Sequence, residues 1–338
     1  MEKTTIENKS EILFLYESTY SIPNGDPFTG EQRYDDETKK ILVSDVRIKR
    51  YIRDYLIEQK DTEGKPYFEI YVLNDISQAI GKGSGSAARM KSLKESYKND
   101  DSVKVDLKKG AKIEKVISAL KLLLKCTDVR LFGGISTEEG DSVNLTGPVQ
   151  FALLNPSLND VDLRMHQNTS VFVSSVEKTR GAIGTTTVVP YAVNQIHGWI
   201  NPYSASYTNL TDEDVNIMLR ALWESINNAN TRTKSNQNSL LLLQIIYSDT
   251  NKKLYGLDRF IKLNTKDKDG VEKKGEQLRS IEDFEFELTE LIEKVSSENV
   301  QEVRYYTEAE KIKNLLKGKS KFNEIVFPDF KSLSEDKK

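Results

Sequence analysis

Two stretches of the chain carry apolar residues at consecutive positions, which predicts strands that are buried on both faces. In the strand predicted over Glu11–Tyr20, residues 12 to 16 are all apolar. The segment SLLLLQIIY, residues 239–247, is almost continuously apolar as well. Since a strand with one solvated face alternates polar and apolar residues, we predict that both strands lie in the interior of a sheet.

The segment SDVRIKRYIRDYL, residues 44–56, repeats apolar residues at helical spacing instead. At about 100° per residue, its apolar side chains fall on one arc that can pack on a sheet. Ser44 precedes the first turn at the capping position, and Asp45 adds a negative charge to that turn. The segment is therefore predicted to be an amphipathic helix whose apolar arc is formed by Ile48, Tyr51, Ile52, Tyr55 and Leu56.

The opposite arc of this helix is basic. It carries Arg47, Lys49, Arg50 and Arg53, with Asp54 among them and Val46 near its centre. A solvated helix face usually mixes the two signs of charge to gain pairs four residues apart. The basic arc is either such a solvated face or a track for the phosphates of a nucleic acid, and the spacing alone does not decide between the two.

Further patterns along the chain predict shorter elements. The order of strands and helices favours an α+β fold, a ferredoxin-like sheet with helices on one face and large insertions in its loops. The predicted elements are a strand at Tyr67–Leu73, a helix at Lys112–Cys126, strand-like VNLTGPVQFALL, an irregular segment around 155–185, the strand TTVVPYAVNQIHGWI, a helix from a capping-box-like Thr211–Asp214 to about Asn230, a helix at Ile281–Ser296 and the strand VQEVRYY.

Composition limits the classes of function. The 338 residues carry a net charge of −3, so any site for a polyanion must be a local patch. The single cysteine, Cys126, excludes an internal disulfide, and two histidines do not support a His-rich metal site. Because no phosphate-binding GxxxxGK[ST] motif occurs, no cofactor is expected. No apolar run approaches the roughly 18 residues of a membrane span, and MEKTTIENKSEILFLY does not read as a secretory signal, so we expect a cytoplasmic protein.

Several separated motifs point to one family. They occur in the order SEILFLYESTYSIPNGDP, VSDVRIKRYIRDYL, DVRLFGG, TGPVQFALLNPSL, VVPYAV and NNANTRTKSNQNSLLLLQIIY. Together they resemble the backbone subunit of the type I CRISPR surveillance complex (Cascade), most closely its type I-B form. The resemblance runs from about residue 10 to about residue 250.

This resemblance implies a fold and a set of partners. The fold is an RNA-recognition-like (RRM-like), ferredoxin-like palm with finger and thumb insertions. Copies of the chain polymerise along a CRISPR guide RNA beside other Cascade subunits, and target DNA is read by pairing with the guide. The implied boundaries are 10–59, 112–154 and 185–310 for the palm, 60–111 for the fingers, 155–184 for the thumb and 331–338 for a disordered tail.

The resemblance also implies RNA-binding residues. The family's phosphate-binding stretch matches Ser44, Lys49, Arg50 and Arg53, on the helix that also carries Arg47, and its FGG motif matches Arg130, Phe132, Gly133 and Gly134. The two glycines allow either a close approach of the RNA backbone or a tight turn. Gln150 is a donor either to RNA or within the sheet.

The insertions supply the remaining candidates. In the thumb the candidates are Arg164, Met165 and His166, which either wedge between bases or belong to a loop without such a role. In the fingers, the candidates for contacts with guide or target strands are Lys82, Arg89 and Lys91. Before the second buried strand, the candidates for phosphate contacts are Arg232 and Lys234. One departure concerns Thr185, Thr186 and Thr187, which stand where the family often has a basic pair.

Two other functions remain open. Asp26, in the loop after the first strand and near Asp35 and Asp36, is a candidate metal ligand of a ribonuclease, although Asn-Gly-Asp-Pro is also ordinary turn chemistry. The basic helix is alternatively a docking face for a protein in a structural filament. We take a non-catalytic guide-RNA scaffold as the main hypothesis and the metal-dependent ribonuclease as its alternative.

Overall fold

The computed structural model of the chain describes residues 4–73, 85–109, 112–137, 141–169, 183–266, 270–297 and 299–332. Its strands are β1 (Ser10–Ser21), β2 (Tyr34–Asp35), β3 (Lys40–Ser44), β4 (Lys104–Lys109), β5 (Lys112–Ile117), β6 (Gly133–Ser136), β7 (Val143–Thr146), β8 (Val149–Phe151), β9 (Leu154–Pro156), β10 (Arg164–Thr169), β11 (Ile183–Ile200), β12 (Gln237–Tyr247), β13 (Lys262–Asn264), β14 (Glu285–Glu287), β15 (Val300–Tyr306) and β16 (Phe322–Glu324). Its helices are α1 (Asp45–Glu58), α2 (Ser86–Ser96), α3 (Ala119–Lys125), α4 (Thr127–Phe132), α5 (Pro202–Thr208), α6 (Asp212–Asn227), α7 (Thr289–Val295) and α8 (Glu310–Leu316).

The largest sheet has the strand order β10–β11–β1–β12–β15–β16, and β8 pairs with β11 as well. Every pair in it is antiparallel except β15 with β16. Leu13 faces His197 of β11 on one side and Leu243 of β12 on the other, which puts β1 in the middle. Residues 12 to 16 have no exposed surface. The prediction that β1 and β12 are interior strands is confirmed.

Two helices cover one face of this sheet. The side chains of Phe14 and Tyr16 share a hydrophobic cluster with Ile48 and Ile52 of α1 and with Trp223 of α6. Apolar residues three and four positions apart give each helix one continuous buried stripe, which explains why both were predictable.

The capping box of α6 forms as predicted. The Thr211 hydroxyl accepts from the backbone N–H of Asp214 at 3.2 Å, and the Asp214 carboxylate accepts from the N–H of Thr211 at 3.2 Å. The start of α6 is therefore fixed by side chains of its own first turn.

The chain after residue 250 covers the other face of the sheet. Leu13 and Leu15 belong to a second cluster with Leu257, Phe284 and Leu291. Residues from the C-terminal third, which the resemblance does not cover, thus form part of the hydrophobic core. This packing also explains why β1 and β12 are apolar on both sides.

The predicted helix at Lys112–Cys126 was wrong in its first half. Residues 112–117 form β5, which pairs with β4 from Lys104↔Ile117 to Lys109↔Lys112, and only Ala119–Lys125 is helical. Ile113, Val116 and Ile117 are β-branched, which favours a strand even where their spacing fits a helix.

Residues 67–73 do not form the predicted strand. Tyr71 of this segment belongs to a small separate hydrophobic core, in which Tyr71, Met90, Leu122 and Cys126 are buried. The backbone N–H groups of Tyr71 and Val72 are bound by a carboxylate described below rather than by a neighbouring strand. Cys126 is a buried free thiol of this core.

The predicted helix at Ile281–Ser296 was also wrong in its first half. Phe284, Phe286 and Leu288 are buried while Glu285 and Glu287 are exposed, and this alternation is the period of a strand. Residues 285–287 accordingly pair with β13, and the helix α7 begins at Thr289.

The C-terminal segment returns to the helical side of the sheet. The Phe330 ring packs at 4.9 Å from the Phe68 ring and lies 4.2 Å below the Arg220 guanidinium. The predicted disordered tail, 331–338, lies outside the described residues after Ser332. Within the described ranges, no helix has the length and apolar character needed to cross a membrane.

Candidate nucleic-acid interface

The apolar arc of α1 faces the sheet, as predicted. Ile48, Ile52 and Leu56 have no exposed surface, which leaves the basic arc directed away from the core. Ser44 stands at the N-cap position, but its hydroxyl donates to the side-chain oxygen of Asn24 at 2.8 Å and caps no backbone N–H. Because Ser44 is only 7% exposed, its hydroxyl is turned into the protein.

Acids of the same helix neutralise two of the four basic residues. Lys49 Nζ lies 3.2 Å from Asp45 Oδ2 and donates to Gln150 Oε1 at 3.1 Å. Arg50 Nε lies 2.5 Å from Asp54 Oδ1. Each pair is four residues apart, which is the spacing of neighbours on a helix surface. The basic arc of α1 is therefore partly neutralised by acids of its own helix.

Arg53 is paired with an acid from a distant part of the chain. Its Nε lies 2.8 Å from Asp128 Oδ2, and the Asp128 side chain is completely buried. The same carboxylate accepts from the backbone N–H groups of Tyr71 at 2.7 Å and Val72 at 3.1 Å. A buried carboxylate requires such partners, so Arg53 joins α1, α4 and residues 71–72 into one unit.

Phe132 and the two glycines after it also make contacts within the chain. The Phe132 ring is 8% exposed and lies 5.8 Å from Lys49 Nζ and 5.2 Å from the Arg53 guanidinium. Gly133 has φ +80°, and a Cβ there would lie 2.2 Å from the carbonyl oxygen of Leu145. Gly133 therefore allows a turn into β6 and a close approach of β7, which is the tight-turn alternative. Gly134 is half-buried beside Val129.

Two more of the predicted basic residues hold elements together. Arg130 of α4 makes a bidentate pair with Asp214 of α6 at 2.6 and 3.0 Å. Arg89 of α2 pairs with Glu69 and donates to the carbonyl of Ile70 at 3.1 Å. Like Arg53, both guanidinium groups serve contacts within the chain in this structure.

Arg47 differs from the other basic residues of α1. Its guanidinium lies 5.0 Å from the Tyr51 ring centre, and among the residues that the structure describes no carboxylate forms an ion pair with it. Lys234, between α6 and β12, is half-buried and donates to the hydroxyl of Thr233 at 2.9 Å. Burial and the neighbouring positive charge of Arg47 lower the pKa of Lys234 to about 8. Arg232 is exposed in the same segment.

The predicted wedge residues belong to an edge strand rather than to an irregular segment. Arg164, Met165 and His166 begin β10 and are exposed, with Met165 at 72%. In the register with β11 they face Val188, Thr187 and Thr186. The β10–β11 arm, residues 164–169 and 183–188, thus presents a cation, an apolar side chain and an imidazole in sequence.

The remaining candidates do not join this surface in one place. Lys82 lies outside the described residues, and Lys91 is exposed on α2. The Asp26 carboxylate accepts from the backbone N–H groups of Phe28 at 2.9 Å and Thr29 at 3.3 Å, and it pairs with Arg33. These backbone hydrogen bonds, led by that from Phe28, lower the pKa of Asp26. In the part of the chain that the structure describes, no group of three or more potential metal ligands is assembled.

The acids Asp128 and Asp214 were missing from the predicted site. They stand 75 and 84 residues from the arginines that they bind, so the linear charge pattern around α1 gave no sign of them. Only the three-dimensional structure separates the basic residues that are engaged within the chain from those that are not.

Comparison with known sequences identifies the family that this chain resembles. The sequence model of the family described as CRISPR-associated protein Cas7 matches residues 8–289. A relative from Haloferax volcanii, described as CRISPR-associated protein Cas7, is 29% identical over 316 residues, and the alignment covers 86% of this chain and 83% of the relative.

Solved structures share the fold. A chain of a "CRISPR RNA-guided surveillance complex, pre-nicking" aligns with a TM-score of 0.53 at 13% identity, covering 97% of this chain and 98% of that one. A chain of a "CRISPR RNA-guided surveillance complex" aligns with a TM-score of 0.51 at 12% identity and the same coverage, 97% and 98%. At such identities the likeness concerns the fold alone.

Proposed function

The chain belongs to the family of CRISPR-associated protein Cas7, and from that premise we propose that it is a non-catalytic scaffold that binds CRISPR guide RNA. Copies of the chain polymerise along the guide, beside other subunits of a Cascade-type complex in the cytoplasm, and present the guide for pairing with target DNA. The type I-B form remains the subtype that we expect. The observation that carries the proposal is the family match over residues 8–289.

We further propose that the central sheet is an RRM-like palm of the ferredoxin type. The order β12–β1–β11–β8, antiparallel at each step, supports this proposal. So does the sequence β1–α1–β8–β11–α6–β12, because a split β-α-β-β-α-β unit has that order. Unlike an open sheet, this one has both faces covered, so the RNA path is proposed at its edges and helices.

The fingers and thumb remain proposals as well. A hydrophobic cluster distinct from the palm runs from Tyr71 to Val129, which favours a fingers insertion that ends closer to residue 126 than to residue 111. The β10–β11 arm, continuing an edge of the sheet, fits the thumb. In this proposal Arg164, Met165 and His166 contact RNA, while Arg53, Arg89 and Arg130 support the residues that do.

The test is purification of the tagged chain from its native cells, followed by sequencing of the RNA that copurifies. We expect CRISPR repeat-spacer RNA, and its affinity in vitro should fall steeply as salt rises, since phosphate contacts release counterions. Recovery of unrelated protein partners without RNA would contradict the proposal.

The absence of catalysis has its own test. Bound RNA should remain intact in Mg²⁺ or Mn²⁺, because the Asp26 carboxylate is occupied by two backbone N–H groups and Arg33. Metal-dependent cleavage that is lost in Asp26→Ala would favour the ribonuclease instead.

A further inference from the structure

A surface concavity lies between α1 and the segment that connects α6 to β12. Its walls come from α1 and from residues 225–234. Two cations line it, Arg47 and Lys234, and two acids, Asp54 and Glu58. Arg47, for which no acid partner is described, therefore lines the same concavity as Lys234, which belongs to another element.

The two cations are held near each other against their mutual repulsion. Partial burial disfavours the charged amine of Lys234, and the positive charge of Arg47 adds to that effect and lowers the pKa further. Lys234 is held in place through its backbone: Gln237 Nε2 donates to the Lys234 carbonyl at 2.9 Å and to the Tyr51 hydroxyl at 3.2 Å. A pair of like charges fixed in this way costs stability unless an anion binds between them.

The acids of the concavity do not fill that role. Asp54 is seven residues along the helix from Arg47, about 10 Å at 1.5 Å per residue, and Glu58 is about 16 Å away. Asp54 is bound by Arg50. The remaining titratable groups, Tyr51 and Tyr55, have a pKa raised by burial and stay neutral near pH 8. The Arg47 end of the concavity is thus positive.

We propose that Arg47 and Lys234 together bind one phosphodiester group of the guide RNA, and that this contact is coupled to protonation of the Lys234 amine. The inference rests on the proposed function and adds a site and a regulation to it. In the free chain the pKa of Lys234 is about 8, and a bound phosphate favours the ammonium. Above about pH 8, binding therefore takes up a proton, and affinity falls as the pH rises.

The experiment measures the affinity of the full chain for a single-stranded RNA made only of adenine and cytosine, whose bases do not ionise between about pH 7 and about pH 9. Lys234→Met keeps the apolar stem and removes the charge, while Lys317→Met removes an exposed charge elsewhere. We expect Lys234→Met to bind roughly tenfold more weakly, as for a lost charged hydrogen bond. Its salt slope should decrease by about 0.7, the value for one phosphate contact on a single strand.

The pH dependence of RNA affinity distinguishes a phosphate contact at Lys234 from a general loss of positive charge. Wild-type affinity should fall by no more than about tenfold per pH unit above pH 8, because one proton is involved. Lys234→Met should show no such fall, and Lys234→Arg should keep the affinity and lose the pH dependence. Arg47→Met should bind more weakly and shift the fall to higher pH, since the repelling charge is gone.

The outcomes are distinguishable from failure of the proposed function. If Lys234→Met binds like Lys317→Met, or if both share the wild-type pH profile, this site is overturned while RNA binding stands. If the loss appears only with a DNA strand of the same sequence, the assignment to the guide RNA is overturned. A wild-type chain that binds no RNA at any salt overturns the proposed function and this site together.

Discussion

On the side of α1 that faces α4, Arg53 is bound to Asp128, whose side chain is completely buried. On the side that faces the segment after α6, Arg47 has no described acid partner and stands near another cation, Lys234. Both arginines belong to the same basic pattern in the sequence. The comparison teaches that a basic helix face is not one site: the acids that the fold brings to each residue decide whether its charge supports the protein or is available to a ligand.

Arg53→Met tests the buried side and should have the largest effect. It leaves the Asp128 carboxylate buried without its cation, which typically costs about 3–5 kcal/mol. Chemical denaturation should therefore show a free energy of unfolding lower by that amount. Arg47→Met is the matched control on the same helix and should change the free energy of unfolding by less than about 0.5 kcal/mol. Equal effects of the two substitutions would remove the distinction between the two sides.

The long elements of the fold were predictable from the sequence because their patterns are unambiguous. Residues 12 to 16 of β1 and the arc of α1 repeat apolar side chains over enough positions to determine both type and orientation. Two of the errors fell at 112–117 and 285–287, where segments of a few residues fit both periods and pairing with another strand decides.

Which residues bind RNA stays a prediction, and the structure shows which of the candidate residues are engaged within the chain. The charge pattern singled out α1, and the resemblance singled out the FGG motif and the candidates Arg164, Met165 and His166. Neither could reveal that Asp128 and Asp214 engage Arg53 and Arg130, since those contacts depend on how α4 packs against α1 and α6. Lys234 was identifiable as a basic residue, but its proximity to Arg47 required the fold.

Gly133→Ala tests the structural role of the turn that follows α4. The added Cβ would lie 2.2 Å from the Leu145 oxygen at a residue with φ +80°. Strain of this kind costs about 1–3 kcal/mol, and the overlap with backbone adds to it. Thermal unfolding should show a clear decrease in Tm. Gly134→Ala, whose Cβ would meet Val129 Cγ2 at 3.2 Å, is the control and should lower Tm less. Normal stability of Gly133→Ala with lost RNA binding would instead favour a direct RNA contact.

Lys234 should give the RNA-free chain a pH dependence of its own. Its pKa in the folded state, about 8, is below the unfolded value, so the unfolded chain holds more protons above pH 8 and stability rises with pH. Relative to Lys234→Met, the wild type should gain about 1 kcal/mol between about pH 7.5 and pH 9.5, allowing for partial screening by solvent. Denaturation curves at the two pH values measure this. A constant difference between the two proteins would mean that folding does not lower the pKa of Lys234.

Asp45→Asn should have the smallest effect on stability. It removes the acid partner of Lys49, so that Lys49 resembles Arg47, for which no acid partner is described. It removes the partner at 3.2 Å from Lys49 and one negative charge from the first turn of α1, which costs about 0.5–1 kcal/mol of stability. If the Lys49 side lies on the RNA path, the released ammonium should tighten RNA binding by about two- to fivefold at low salt and steepen the salt dependence. Asp54→Asn, which removes the Asp54 carboxylate from the neighbouring Arg50, is the matched comparison. Unchanged affinity in both variants would confine the RNA contact of α1 to its Arg47 end, because charge freed on the other side would then have met no phosphate.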